Sequence, residues 1–350
     1  MTTYVLGAGA SHDAGYPLAK TMASDLFRWM KDTKHAPDSY AARYPDTAHF
    51  FEESFGPVQN VEDLMTDIQE LIKRYEIGTR EQRAKRTVLA NEYGVLQTAV
   101  RAWFAEIQQR AVSLSIAYQS FARDIVVRGD CVITFNYDVS LERELRLAGK
   151  FEIGDGYGFQ IETLPAKSAT KVLKLHGSTS WLALLFGGRT SGGFQFEPGG
   201  TLGSRPVIAK NELSYLGYAD AIDPRFAGGG AALPVMIFPA RSKEFYFAPN
   251  TGVEYVEFWG DLWRQADAAL RSAARIVICG YSLNPIDKRA CKLLLNVPRK
   301  DVEIVVASGG DTERVVGTYR ESGYAGAVAA DEVLFQQWVM RTNSDVATVR

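Results

Sequence analysis

The chain opens Tyr4-Val5-Leu6-Gly7-Ala8-Gly9-Ala10-Ser11, then Ala14-Gly15-Tyr16-Pro17. An apolar strand with almost no leader runs straight into a glycine-rich turn. Gly7 and Gly9 carry no Cβ, so the backbone turns tightly and lets a bulky anion approach. Pro17 suits the first turn of a helix. Such a helix aims its unpaired N–H groups and positive dipole end back at the turn, a ready site for a pyrophosphate. A strand, glycine turn and helix at the very start predict a nucleotide-binding α/β fold.

The 350 residues suffice for one large α/β domain with insertions, or for two domains. Residues 3–7 read as strand and 17–31 as helix, with Leu18, Met22, Leu26, Phe27 and Met30 at helical spacing. A dinucleotide-binding unit would then give a second strand ending in an acidic residue. Here 35–60 is instead polar, aromatic and broken by prolines, and helical periodicity resumes over 61–75 and 82–128. We read 35–128 as an α-helical insertion, and 1–34 with 129–340 as the Rossmann-like core.

Further strands are expected at 131–135, 171–175, 235–238, 275–279 and 302–307, with helices over 139–148, 253–274 and 285–295. Residues 183–234, rich in Gly, Ser and Pro, read as a loop-rich segment within the core. The pattern is strand, polar tip, helix, repeated. In an open parallel sheet the strand tips share one edge, where ligands bind. The tips are Gly7–Ser11, Asn136–Asp138, His176–Ser178, Gly280–Leu283 and Ser308–Asp311.

Composition excludes other classes. A net charge of −2 argues against nucleic acid as the main ligand. Cys131, Cys279 and Cys291 form no close-set pair, which excludes a zinc module and disfavours a disulfide framework. Cys131 and Cys279 read as small buried core residues. The four histidines are too scattered for a metal site. No apolar run approaches the ~20 residues of a membrane span, and a binding loop stands where a signal peptide would. The cytoplasm is the expected compartment.

Together the tips resemble the sirtuin superfamily. Its motifs stand here as Gly7-Ala8-Gly9-Ala10-Ser11 with Gly15-Tyr16-Pro17, Thr134-Phe135-Asn136-Tyr137-Asp138, Lys174-Leu175-His176-Gly177-Ser178 and Gly280-Tyr281-Ser282-Leu283, in the family's order. The resemblance covers residues 3 to about 310 apart from the helical insertion. Two departures stand out. The four-cysteine zinc ribbon of the protein deacetylases has no counterpart, and Phe135 replaces a glutamine. The Thr-Phe-Asn-Tyr-Asp form, with Leu-His-Gly-Ser, is similar to bacterial sirtuin-like proteins of anti-phage defence, which hydrolyse NAD to ADP-ribose and nicotinamide. The resemblance implies that activity, with NAD as substrate and no metal. It also implies regulation by homo-oligomer assembly or by a separate partner such as a ring-forming ATPase.

The same resemblance implies the roles of the tip residues. His176 is the base that takes a proton from water or a ribose hydroxyl. Asn136 hydrogen-bonds the ribose and the attacking water. Asp138 orients Asn136 or the nicotinamide amide, or offsets developing positive charge. Gly7, Ala8, Gly9, Ala10 and Ser11 cradle the pyrophosphate. Gly280, Ser282 and Leu283 approach the phosphates or the adenine ribose, Asp287 reaches a ribose hydroxyl, and Ser308 lies at the last tip.

Plainer roles stand beside these. Asn136 fits a strand-end turn or helix cap, and Asp138 and Asp287 fit helix N-termini. His12 reads as structural, His35 and His49 have no role, and the helix bearing Trp259 and Trp263 reads as core or subunit contact. The competing functions are a non-catalytic NAD or ADP-ribose sensor and an NAD-dependent deacylase or ADP-ribosyltransferase. A dehydrogenase is disfavoured because the second strand and its acidic residue do not follow the first helix.

Overall fold

Strand β1 (Thr2–Leu6) is buried on both faces and hydrogen-bonded on both edges, so its run of bulky side chains is apolar rather than alternating. The structure, a computed structural model, describes residues 1–32, 41–56, 61–111, 116–161, 164, 167–185, 189–190, 193–194, 206–208, 231–237, 253–297 and 301–349. After β1 come α1 (Ala8–Ser11), α2 (Ala19–Lys31), α3 (Tyr44–Phe55), α4 (Val61–Glu76), α5 (Arg80–Ala111) and α6 (Ile116–Ser120). A π-helical turn (Phe121–Ile125) then leads to β2 (Cys131–Thr134), α7 (Ser140–Leu147), α8 (Ile153–Gly156) and β3 (Lys171–Lys174). Next are β4 (Gly177–Leu185), β5 (Arg189–Thr190), β6 (Gly193–Phe194), β7 (Val207–Ile208) and β8 (Ala231–Met236). The chain ends with α9 (Val253–Ser272), β9 (Arg275–Cys279), α10 (Lys288–Leu295), β10 (Glu303–Ala307), α11 (Thr312–Glu321), β11 (Val328–Ala330) and α12 (Phe335–Val349).

Six strands form one parallel sheet in the order β11-β10-β9-β1-β2-β3. This is the doubly wound, Rossmann-like order, with β1 followed on one side by β2 and β3 and on the other by β9, β10 and β11. The chain reverses its direction of winding between β1 and β9, and that switch point is where such sheets bind ligands. The α/β class and the parallel sheet expected from the strand runs are therefore present, and a long helical stretch separates β1 from β2.

Two hydrophobic cores result. One packs helices on the sheet and includes Trp259 and Trp263, which are core residues as expected. The other joins α2 to α5, with Phe27, Phe51, Leu64, Met65 and Leu96 at its centre, and it meets the sheet side at Tyr137 and Met236.

The structure corrects several local expectations. The glycine turn is followed by the one-turn α1, and α2 begins only at Ala19, so Pro17 precedes the helix rather than opening it. After β3 the chain does not enter a helix. Gly177 adopts φ +83°, where a Cβ would lie 2.0 Å from the Val235 carbonyl oxygen, and the chain turns into β4. β4 pairs antiparallel with β7 and β8 in a second, three-stranded sheet. The strand expected at 235–238 is the end of β8 and belongs there, not to the parallel sheet; Phe238 lies outside the described residues. Of the loop-rich 183–234, only 183–185, 189–190, 193–194, 206–208 and 231–234 are described, and His35 is not. Strand β11 and helix α12 carried no recognised sequence signal.

Candidate functional site

The tips of β1, β2, β3, β9 and β10 surround one cavity of about 900 Å³ at the C-terminal edge of the parallel sheet. Ala8, Gly9, Ser11, Asn136, Asp138, His176, Gly280, Ser282, Asp287 and Ser308 all line it. Gly7 and Ala10 lie behind that wall, and Leu283 is buried with φ +47°. One surface thus holds most of the residues singled out from sequence.

The glycines make close contact with protein, not open space. A Cβ on Gly7 would lie 2.5 Å from the Gly280 carbonyl oxygen, and one on Gly9 would lie 2.8 Å from the Gly280 Cα. Gly9 donates its N–H to the Gly280 carbonyl (2.9 Å), and Ala10 donates to Gly7 (2.9 Å). The β1 and β9 turns are therefore packed backbone on backbone. The Gly9 N–H serves that contact, and the Ala10 N–H closes the β1 turn on itself.

Ser11 is likewise spoken for. Its hydroxyl donates to Asp138 Oδ2 (2.7 Å), accepts from Asn136 Nδ2 (2.9 Å) and lies 2.8 Å from the Tyr118 hydroxyl. A serine hydroxyl has one donor and two acceptor sites, and all three are used. Its side chain is a buried knot between the β1 turn and the β2 tip. Asn136 Nδ2 also donates to the Gly7 carbonyl (2.8 Å), so the carboxamide is fixed with its nitrogen toward the β1 turn. Asp138 acts on Asn136 through Ser11. Its other oxygen accepts from Ser140 N (3.1 Å), the first residue of α7.

Beneath this loop lies a buried ion pair. The Lys174 ammonium donates to the Asp138 carbonyl and to Glu142 Oε1 (2.8 Å). Burial pushes the Glu142 carboxyl upward, with Lys174 pulling it back.

His176 Nε2 lies 2.9 Å from Asp287 Oδ2, and each residue is only 7% exposed. An ionised carboxylate only accepts, so Nε2 carries the proton and the neutral ring's basic nitrogen is Nδ1. Asp287 Oδ1 accepts from Ala290 N (3.2 Å) and caps α10. Asp287 thus joins the imidazole to the first turn of α10. Phe135 stacks on Tyr281 (4.3 Å) and meets the His176 ring edge-on (5.0 Å), giving the pair an apolar wall. Ser308 donates its hydroxyl to the Tyr281 carbonyl (3.1 Å), joining the β9 and β10 tips.

Sequence reasoning missed part of the lining. The helical stretch contributes Glu62 and Phe104, and α12 with the residue before it contributes Leu334, Phe335 and Gln336. Asp13 lines the cavity with both carboxylate oxygens buried, and burial pushes its carboxyl upward, with nearby backbone N–H groups pulling it back. The lining carboxylates are Asp13, Glu62, Asp138, Asp287 and Asp311, against one lysine, Lys20. Among the described residues no cluster of His, Cys, Asp and Glu has the makings of a metal site, and no helix is long and apolar enough to cross a membrane.

No family model matches the chain, and no curated protein matches it. Among solved structures it is similar to a Sir2 homologue in complex with NAD, at 13% identity over 99% of this chain and 90% of that chain, with a TM-score of 0.43. It is also similar to a Sir2 homologue mutant in complex with ADP ribose (14% identity, 100% and 94% covered, TM-score 0.42). A third is Sir2Tm bound to a propionylated peptide (13% identity, 99% and 93% covered, TM-score 0.38).

Proposed function

We propose that this protein is an NAD⁺ hydrolase that releases nicotinamide and ADP-ribose. The supporting observation is the meeting of Asn136, at the β2 tip, with the His176–Asp287 pair, at the β3 tip and the start of α10, on the wall of one cavity at the sheet's switch point. The dinucleotide lies along the sheet edge, with its pyrophosphate against Ala8, Gly280 and Ser282 and its nicotinamide ribose toward Asn136 and His176.

In the reaction the bond between C1′ and the nicotinamide nitrogen breaks, and its electron pair leaves with neutral nicotinamide. C1′ takes on oxocarbenium character. Water adds there, and its proton passes to His176 Nδ1 and on to solvent. Asp287 stabilises the imidazolium that forms. The Asn136 oxygen holds the attacking water or the ribose while its nitrogen anchors to Gly7 and Ser11. The apolar wall of Phe135 and Tyr281 limits stray water.

By its motifs the chain fits a cytoplasmic effector of bacterial anti-phage defence, held in check by self-assembly or a ring-forming ATPase.

The test is nicotinamide release from NAD by purified protein, with and without neighbouring-gene products. His176→Ala and Asn136→Ala are expected to lower the rate about 100-fold or more. Full turnover by both variants would overturn the assignment. Binding of NAD without turnover under every condition would favour a sensor, and deacylation of an acyl-peptide with NAD would favour a deacylase.

A further inference from the structure

We propose that Glu62, supplied by the helical stretch between β1 and β2, is a positioning residue for the His176–Asp287 pair and acts through Asn284. This rests on the reading of His176 as the base.

Glu62 stands in the first turn of α4, facing the cavity, and is 8% exposed. Its Oε2 accepts from Asn284 Nδ2 at 2.6 Å, a charge-assisted hydrogen bond. Asn284 lies in the loop from β9 to α10, three residues before Asp287, and knots that loop. Its Oδ1 accepts from Ile286 N (3.1 Å), and its carbonyl accepts from Asp287 N (2.9 Å) and Cys291 Sγ (3.2 Å). The preceding Leu283 is held at φ +47°, a conformation that persists only where its surroundings enforce it. Glu62 grips this loop from a different element, 222 positions away in the sequence.

Asp287 leaves the knot with its main-chain N–H fixed by Asn284 and its carboxylate on His176. A shift of the loop therefore moves the carboxylate that sets the tautomer and aim of the imidazole. Burial raises the Tyr281 and Tyr137 hydroxyls, and Asp287 and Glu62 both add to it, which sets the two carboxylates about the same rings. The helical stretch thereby has a mechanical hold on the general base through Asn284 and Asp287.

The test uses the full chain with ring-labelled histidine and the variants Glu62→Ala, Glu62→Gln, Asn284→Ala and Asp287→Asn. NMR follows the His176 ring resonances and their titration, and NAD cleavage is measured alongside. Asp287→Asn is expected to move the titration to lower pH, because a neighbouring carboxylate favours the imidazolium. Glu62→Ala and Asn284→Ala are expected to move the resonances in the same sense and to lower kcat about 10- to 100-fold, with KM changed far less. Glu62→Gln keeps an amide acceptor and is expected to recover most of both.

Resonances that overlay wild type in Glu62→Ala and Asn284→Ala would overturn the proposal, and so would an Asp287→Asn spectrum that does not move. A raised KM with kcat and resonances unchanged would make Glu62 a ligand contact, also against it. Should Glu62→Ala fail to fold, Asn284→Ala decides from the other side of the same bond. Should wild type leave NAD intact, the proposed activity falls while the spectra still decide this point.

Discussion

At the scale of single residues, the site is held by groups whose bonding capacity is already used. Gly280 is the clearest case. It sits at φ +61°, and a Cβ there would lie 2.3 Å from Ala10 N and 2.5 Å from Gly9 C. Both obstacles are backbone, so nothing swings aside. Gly280→Ala is expected to cost about 3 kcal/mol or more, read as a lowered midpoint in urea. A near-neutral effect would mean that the two turns are not packed as described. The cysteines give a second test. Burial pushes the Cys131 thiol up to about 12 and the Cys279 thiol higher still, whereas Cys291 is half-buried. Alkylation of native protein near neutral pH is therefore expected at Cys291 first, with Cys131 and Cys279 reacting only on unfolding. Mass spectrometry of alkylated peptides checks this.

At the scale of elements, the buried Lys174–Glu142 pair ties β3 to α7 and to the carbonyl of Asp138. Lys174→Met leaves a buried carboxylate without its cation and is expected to cost about 3–5 kcal/mol, much of it recovered in Lys174→Met/Glu142→Leu. Urea denaturation of the two variants separates these outcomes. The pair also predicts a pH dependence. The folded Glu142 carboxyl titrates above its ordinary value of 4.5, so the folded state binds the extra proton. Stability from this group is full below that ordinary value and is lost as pH rises through the folded one. The stability of wild type relative to Glu142→Gln is therefore expected to fall as pH climbs from 4.5, and a flat difference would count against burial of that charge. Strands β1, β2, β3, β9 and β10 were all legible as apolar runs, to within a residue or two, because burial on both faces leaves a local signature. The β4–β8 pairing was not, since an antiparallel partner distant in sequence leaves none.

At the scale of the whole molecule, two cores meet along Tyr137 and Met236, with the cavity beside the seam. Phe51 is fully buried in the second core, against Phe27, Phe50 and Phe55. Phe51→Ala is expected to cost about 3–5 kcal/mol. Hydrogen exchange is expected to show α2 to α5 opening first, while β1, β9 and β10 stay protected. Equal loss of protection in both regions would mean that the two cores open as one unit. The order of strands belongs to this scale as well: only the assembled sheet puts β9 beside β1 and makes a switch point at the two glycine turns.

The amino-acid sequence alone determined the α/β class, the strand runs, the glycine turns and the residues at their tips. These follow from local periodicity and from backbone freedom, both of which are properties of adjacent residues. The tertiary structure alone decided which polar groups are spent and on what. His176 and Asp287 meet across 111 residues, and Ser11 and Asp138 across 127, with no local pattern to announce either. A hydrogen bond depends on where two side chains arrive in space. That place is set by strand order and packing, so the partners of a tip residue became visible only once the sheet was assembled.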